Sequence, residues 1–223
     1  IRFADGQVLD AAEIAMQVVA GSSGDDLIVA HPDADFIDAR AGNDDVQGLN
    51  GDDFISGGAG MDSLSGGDGN DSLFGDAGDD LLNGDWGDDQ LQAGEGNDTL
   101  IGGGGADSLY GETGDDLLTG SGLLDGGDGN DILNGEGADT LSGGAGDDSL
   151  IAYSDAWDQL SNTLQGGAGN DTLYGSFGED TYLFNLGDGK DLIIERRDGE
   201  DYTNIEASFD VLTFGEGISR ASL

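Results

Sequence analysis

An aspartate recurs every nine residues through the first half of the chain, at Asp26, Asp35, Asp44, Asp53, Asp62, Asp71, Asp80, Asp89, Asp98, Asp107 and Asp116. Two residues after each stands an aliphatic side chain: Ile28, Ile37, Val46, Ile55, Leu64, Leu73, Leu82, Leu91, Leu100, Leu109 and Leu118. Random acidic composition does not hold two residue classes in phase over such a span, and neither does a disordered tail. The unit is clearest in Gly57-Gly58-Ala59-Gly60-Met61-Asp62-Ser63-Leu64-Ser65, followed at once by Gly66-Gly67-Asp68-Gly69-Asn70-Asp71-Ser72-Leu73-Phe74. A tight repeat of this length specifies a solenoid.

The first six positions of each unit are rich in Gly, with Asn or Asp at the fifth, the residues that tolerate left-handed backbone angles in turns. The last three read as a short strand with the aliphatic side chain pointing in and its two neighbours out. Turn plus strand, repeated, coils the chain into two stacked parallel sheets, with two units per coil and the aliphatics of both sheets meeting in a narrow ladder. One aliphatic side chain per nine residues is a thin core to set against the backbone entropy of ordering them. Some other term has to hold the fold.

The charge supplies it. Of 223 residues, 48 are Asp or Glu and only 6 are Lys or Arg, for a formal net charge of −42. Such a field repels itself in a compact state, and it lacks the basic face that nucleic-acid phosphates or anionic lipid would need. The chain has no Cys and one His, which excludes a disulfide framework and thiolate metal sites. No apolar run approaches a membrane span, and no signal peptide opens the chain; Ile1-Arg2-Phe3 reads as the start of an excerpt from a longer polypeptide. Stacking brings the sixth-position carboxylates of alternate turns to about one strand spacing, ~4.8 Å. With hard oxygen ligands only, and Gly letting carbonyls face inward, the matching cation is calcium. Binding energy at such sites becomes folding energy.

On these residues the chain resembles the RTX (repeats-in-toxin) nonapeptides, Gly-Gly-x-Gly-x-Asp-x-aliphatic-x, an established period-nine repeat; the resemblance covers residues 21–194. It implies an all-β, right-handed parallel β-roll in which loop carbonyls and the sixth-position Asp coordinate each ion between neighbouring turns. It further implies a bacterial protein, secreted or at the cell surface, exported by a type I apparatus and folding on calcium outside the cell. Carried over by position, the ligating residues are Gly24 and Asp26, then Asp35, then Gly42 with Asp44 and Gly51 with Asp53. Next come Gly58, Gly60 and Asp62; Gly67, Gly69 and Asp71; Gly78 and Asp80; and Gly87 and Asp89. The series continues with Gly94, Gly96 and Asp98; Gly103, Gly105 and Asp107; and Gly114 and Asp116. It runs on through Gly127, Gly129 and Asp131; Gly137 and Asp139; and Gly144, Gly146 and Asp148. Gly167, Gly169 and Asp171, Gly178 and Asp180, and Gly189 and Asp191 complete it. Full ligand sets at most of these turns imply roughly 10–15 calcium ions.

Four irregularities interrupt the period. Ala30-His31-Pro32-Asp33-Ala34-Asp35 keeps its Asp but has no Gly; the turn at Gly120-Ser121-Gly122 has lost three residues and its Asp; Gly135-Glu136-Gly137-Ala138-Asp139 has lost one; and Ala152 to Asn162 is an insertion carrying Tyr153 and Trp157. Counted by alternate turns, all four fall in one column of loops. The other column, from Asp26 through Asp44, Asp62, Asp80, Asp98, Asp116, Asp131, Asp148 and Asp171 to Asp191, stays in phase. The expectation is one nearly continuous calcium column and one interrupted one.

The ends read as caps or spacers, residues 1–20 and 195–223. Asp10-Ala11-Ala12-Glu13 is a capping box that opens a short helix with Ala11, Ile14, Ala15 and Val18 on one face, suited to covering the open edge of the first coil. Spacer-like ends favour one block of a large adhesin- or toxin-type protein, whose neighbours are further domains of the same chain. The alternative is the C-terminal secretion module of a secreted protease, lipase or alginate epimerase. Paired carboxylates such as Asp79 and Asp80 imitate a glycosidase pair, but arise by construction when Asp recurs every nine residues. His31 reads as a solvated turn residue, and no catalytic constellation accompanies it. The outward series Leu27, Asp45, Ser63, Leu81, Thr99, Leu117 is no regular Thr or Asn ladder and argues against an ice-binding face.

Overall fold

The computed structural model describes residues 17–153, 160–194 and 211–215. Among them the chain forms twenty-one short strands, from Gln17–Ala20 to Val211–Phe214, and every pairing is parallel. Odd-numbered strands make an eleven-stranded sheet and even-numbered ones a ten-stranded sheet, so successive strands alternate between two faces of a solenoid of about ten coils. In the regular stretch each residue pairs with one eighteen positions on: Ile37 with Ile55, Leu64 with Leu82, Leu82 with Leu100.

The typical strand is six residues long, because it continues past x-aliphatic-x into the first three residues of the next loop, as in Ser63–Asp68 and Leu81–Trp86. Its burial alternates, placing the aliphatic residue and, two positions on, the first loop residue on the inner face. The inner face is therefore a single ladder from Ile28 through Leu64, Leu91 and Leu118 to Leu173, nearly all of it fully buried. Tyr182 ends it. Tyr182 pairs with Leu164 and is fully buried in the aliphatic position two residues after Asp180.

Sheet pairing runs into both spans expected to be caps. Gln17–Ala20 pairs with Asp35–Asp38, and Val211–Phe214 with Thr181–Phe184. Val18, expected on a helix face, lies instead in the first strand and points outward, 75% exposed; the extended pairing with Phe36 overrides the helical period. The rest of that helix, residues 10–16, and Trp157 of the insertion lie outside the described residues. No helix among the described residues is long and apolar enough to cross a membrane.

Candidate metal centre

The turns stack along the two edges of the solenoid, and the sixth-position Asp is buried in nearly all of them. From Asp44 through Asp171, each Asp of the in-phase column is at most 3% exposed. A buried carboxylate has to be accounted for oxygen by oxygen. One oxygen is accounted for by the neighbouring turn. Asp44 N–H donates to Asp62 Oδ1 (2.7 Å), Asp62 N–H to Asp80 Oδ1 (2.7 Å), Asp80 N–H to Asp98 Oδ1 (2.6 Å) and Asp98 N–H to Asp116 Oδ1 (2.7 Å). The chain of bonds continues without a gap from Asp26 to Asp191, although the sequence spacing changes from 18 to 15, 17, 23 and 20.

The second column runs the same way from Asp35 through Asp53, Asp71 and Asp89 to Asp107. There the sequence irregularities take effect. Asp107 N–H meets Ser121 O; Gly122, standing in the Asp register, donates its N–H to Asp139 Oδ1; Asp139 N–H goes to Asn162 Oδ1; and Asn162 N–H goes to Asp180 Oδ1. Asn162, read from sequence as the end of an insertion, occupies the place of an aspartate. The column is geometrically continuous but has lost a carboxylate at two of its turns.

The other oxygen is the telling one. Among the described residues the Oδ2 atoms of Asp44, Asp53, Asp62, Asp71, Asp80, Asp89, Asp98, Asp107, Asp116, Asp131, Asp148 and Asp171 are buried without a hydrogen-bond partner. Ten of them look into a small space beside a glycine at the first position of their own loop. A Cβ built on Gly75 would sit 2.5 Å from Asp80 Oδ2 and 2.6 Å from the carbonyl oxygen of Ala93, the first loop residue one coil on. Gly48, Gly84, Gly111, Gly126 and Gly143 meet the same pair of neighbours. First-position glycines do not have positive φ, so what they supply is room for two converging oxygens.

These first-position residues are absent from the ligand set that the sequence suggests. The signal was present: Gly or Ala stands there at every turn that carries an unpartnered Oδ2, Ala39 and Ala93 being the two alanines. Many of the glycines singled out from sequence also make close stacking contacts. Gly60, at the fourth position, has φ 138°, and a Cβ on it would overlap the carbonyl of Gly42 one coil back. Gly58, at the second position, likewise faces the carbonyl of Arg40. Gly78, Gly96, Gly114, Gly129, Gly146, Gly169 and Gly189 repeat the first contact, and Gly67, Gly94, Gly103, Gly127, Gly144 and Gly167 the second. They let turns stack at strand spacing.

Electrostatics point the same way. Burial pushes the carboxyls of Asp71, Asp80 and Asp131 up to about 7, the charges of neighbouring aspartates adding to the rise and a backbone N–H opposing it. Asp53, Asp89, Asp98, Asp148 and Asp171 rise to about 6 for the same leading reason. Each turn thus presents a desolvated carboxylate oxygen and a carbonyl oxygen to one space. That is a hard, all-oxygen donor set, and it suits a calcium ion, which relieves both the desolvation and the like-charge repulsion.

A second ladder runs outside the first with the opposite polarity. Fifth-position oxygens accept from the next coil: Asn97 N–H donates to Asp79 Oδ1, Asp115 N–H to Asn97 Oδ1 and Asn130 N–H to Asp115 Oδ1, at 2.8–2.9 Å. His31 lies apart, exposed, with Nδ1 3.2 Å from Asp33 Oδ2.

No curated protein matches the chain. The family model of the RTX calcium-binding nonapeptide repeat matches residues 20–55, 56–91, 92–122, 118–150, 135–156 and 158–192, which are the stacked turns described above. By this match and by its two columns of buried carboxylates, the chain belongs to the RTX calcium-binding nonapeptide repeat family, whose repeats form calcium-binding β-rolls.

Proposed function

We propose that this chain is a non-catalytic, calcium-folded block of a large extracellular protein of adhesin or toxin type, serving its secretion, folding and spacing. The single observation that carries the reading is the set of twelve buried Oδ2 atoms without partners, aligned along the two edges. Unpaired buried carboxylate is costly, and twelve of them in register are tolerable only with a counter-ion. The ligands are the twelve aspartates whose Oδ2 is unpartnered, from Asp44 to Asp171, together with loop carbonyls, those of the first-position residues foremost. When bound, calcium neutralises the columns; the chain's own part is to hold each Oδ2 beside a carbonyl and to stack the turns.

In a low-calcium cytosol the carboxylate columns repel and the chain stays unfolded, the state a type I apparatus exports. Outside, calcium closes the columns and the roll forms, with neighbouring domains of the same chain as its partners. Far-UV circular dichroism during a calcium titration, with magnesium as control, tests this. The expected result is a coil-to-β transition at about 10⁻⁴–10⁻³ M calcium, the range of extracellular modules, with no transition in magnesium. A full β signal in chelator would refute it.

A further inference from the structure

We infer that calcium loads the two edges of the roll unequally: towards the C-terminus the edge through Gly122, Asp139, Asn162 and Asp180 is closed by the chain's own donors and takes no ion, while the facing edge through Asp131, Asp148 and Asp171 is loaded. The inference rests on the calcium reading above and adds which turns are exempt from it.

The distinction lies in the second carboxylate oxygen. In the loaded turns Oδ2 has no protein partner. In the turn ending at Asp139, one residue shorter than the rest, Gly137 N–H reaches Asp139 Oδ2 at 2.7 Å, while Oδ1 accepts from Gly122 N–H. In the turn ending at Asp180, Oδ2 accepts from Ser176 N–H at 2.7 Å and lies 3.3 Å from the Ser176 hydroxyl. Between them, Asn162 presents an amide whose Nδ2 donates to Ser176 Oγ and to Asp180 Oδ1, both at 2.9 Å. An amide nitrogen offers a cation no lone pair, and Gly122 offers no side chain. Four successive turns of this edge are thereby satisfied from within, all of them buried in protein hydrogen bonds where the facing edge has open oxygens.

A backbone angle sorts the turns. All twelve open turns carry a second-position residue with positive φ: seven glycines from Gly58 to Gly167, and Arg40, Leu49, Asp76, Asp85 and Glu112 at φ 72–84°. In none of these turns does that residue's N–H reach the carboxylate Oδ2. Ser176 does not have positive φ, and its N–H points in. At the other end Ser22 N–H likewise donates to Asp26 Oδ2 (2.6 Å) and His31 N–H to Asp35 Oδ2 (2.8 Å), again without positive φ, although Asp35 keeps its Oδ1 buried without a hydrogen-bond partner. A calcium ion needing six to eight oxygens would have to break these bonds to enter.

The test counts bound calcium. The full chain is folded in saturating calcium, freed of excess by dialysis, and its ions are counted by native mass spectrometry for the wild type and for D148N, D171N, D139N and D180N. The expected result is that D148N and D171N each bind at least one ion fewer, while D139N and D180N keep the wild-type count. Loss of ions from D139N or D180N equal to that from D148N would overturn the inference. Should D139N fail to fold, the count for D180N decides in its place, an unchanged count supporting the closed edge and a lost ion overturning it. A wild type that folds with no bound calcium would instead overturn the calcium reading itself.

Discussion

Asp80 N–H donates to Oδ1 of Asp98 at 2.6 Å, and Oδ2 of the same carboxylate, buried beside it, has no partner in the protein. One aspartate therefore does two separable things: it ties its turn to the one before, and it presents an oxygen for a cation. Asp98→Ala removes both in the middle of the continuous column. The expected effect is a rise of about three- to tenfold in the calcium concentration at the folding midpoint, corresponding to roughly 1 kcal/mol or more. Asp35→Ala, in a turn whose Oδ2 is already held by His31 N–H, should shift the midpoint less. Calcium titrations of the two variants followed by circular dichroism check this, and equal shifts would contradict it.

Acid should partly replace calcium. Burial raises the carboxyls of Asp71, Asp80 and Asp131 to about 7 in the fold, whereas in the unfolded chain they titrate near 4. The folded state then binds more protons, so ion-free stability from these groups is fully present below about pH 4 and is lost as pH rises through about 7. In chelator the chain should show more β structure at pH 5 than at pH 8. Calcium binding near pH 6 should release protons, and at pH 9 almost none. Circular dichroism in chelator across this range, with calorimetry in buffers of different ionisation enthalpy, reads both effects; more structure at pH 8 than at pH 5 would reverse the sign.

Glycines that look alike in the repeat should differ sharply on substitution. Gly78→Ala places a Cβ on the carbonyl of Gly60 at φ 137°, with no flexible atom to yield, and should cost more than about 2 kcal/mol. Gly24→Ala meets nothing within 4 Å and has no positive φ, so it should be close to neutral. Denaturant unfolding at fixed saturating calcium compares them.

The outer ladder alternates in charge along one edge: Asp79, Asn97, Asp115, Asn130, Asp147, Asn170. Asn97 and Asn130 each stand between two carboxylates on the neighbouring coils, so that no two carboxylates of this run are adjacent. Asn97→Asp puts three in succession, and should destabilise the roll by about 0.3–1 kcal/mol at low salt, with the loss shrinking as salt is added. A salt series of unfolding curves measures it.

Most of the fold was legible because the period is a hard constraint: Asp26 and Ile28 set the phase of every turn to Leu118, and the four irregularities map to one edge in the structure as they do in the count. Two features were hidden for physical reasons. Asn162 replaces an aspartate after a long insertion, where sequence spacing no longer reports spatial register. The roles of the glycines were assigned by conformation, whereas first-position glycines such as Gly75 have ordinary φ and are small because an oxygen of Asp80 needs the space. The distinction between open and closed turns depends on the φ of the second residue, which the identities of Leu49 and Ser176 alone do not reveal.

The central claim is that the carboxylate columns hold this chain open until calcium closes them. Small-angle X-ray scattering in millimolar calcium and in chelator, at pH 8 and moderate salt, addresses it most directly. The account predicts a radius of gyration of roughly 50 Å in chelator, that of an unfolded chain of this length, falling below about 20 Å when calcium is added. A compact particle of the same size in both conditions would show that the ladder of aliphatic side chains suffices without the ions, and would contradict it.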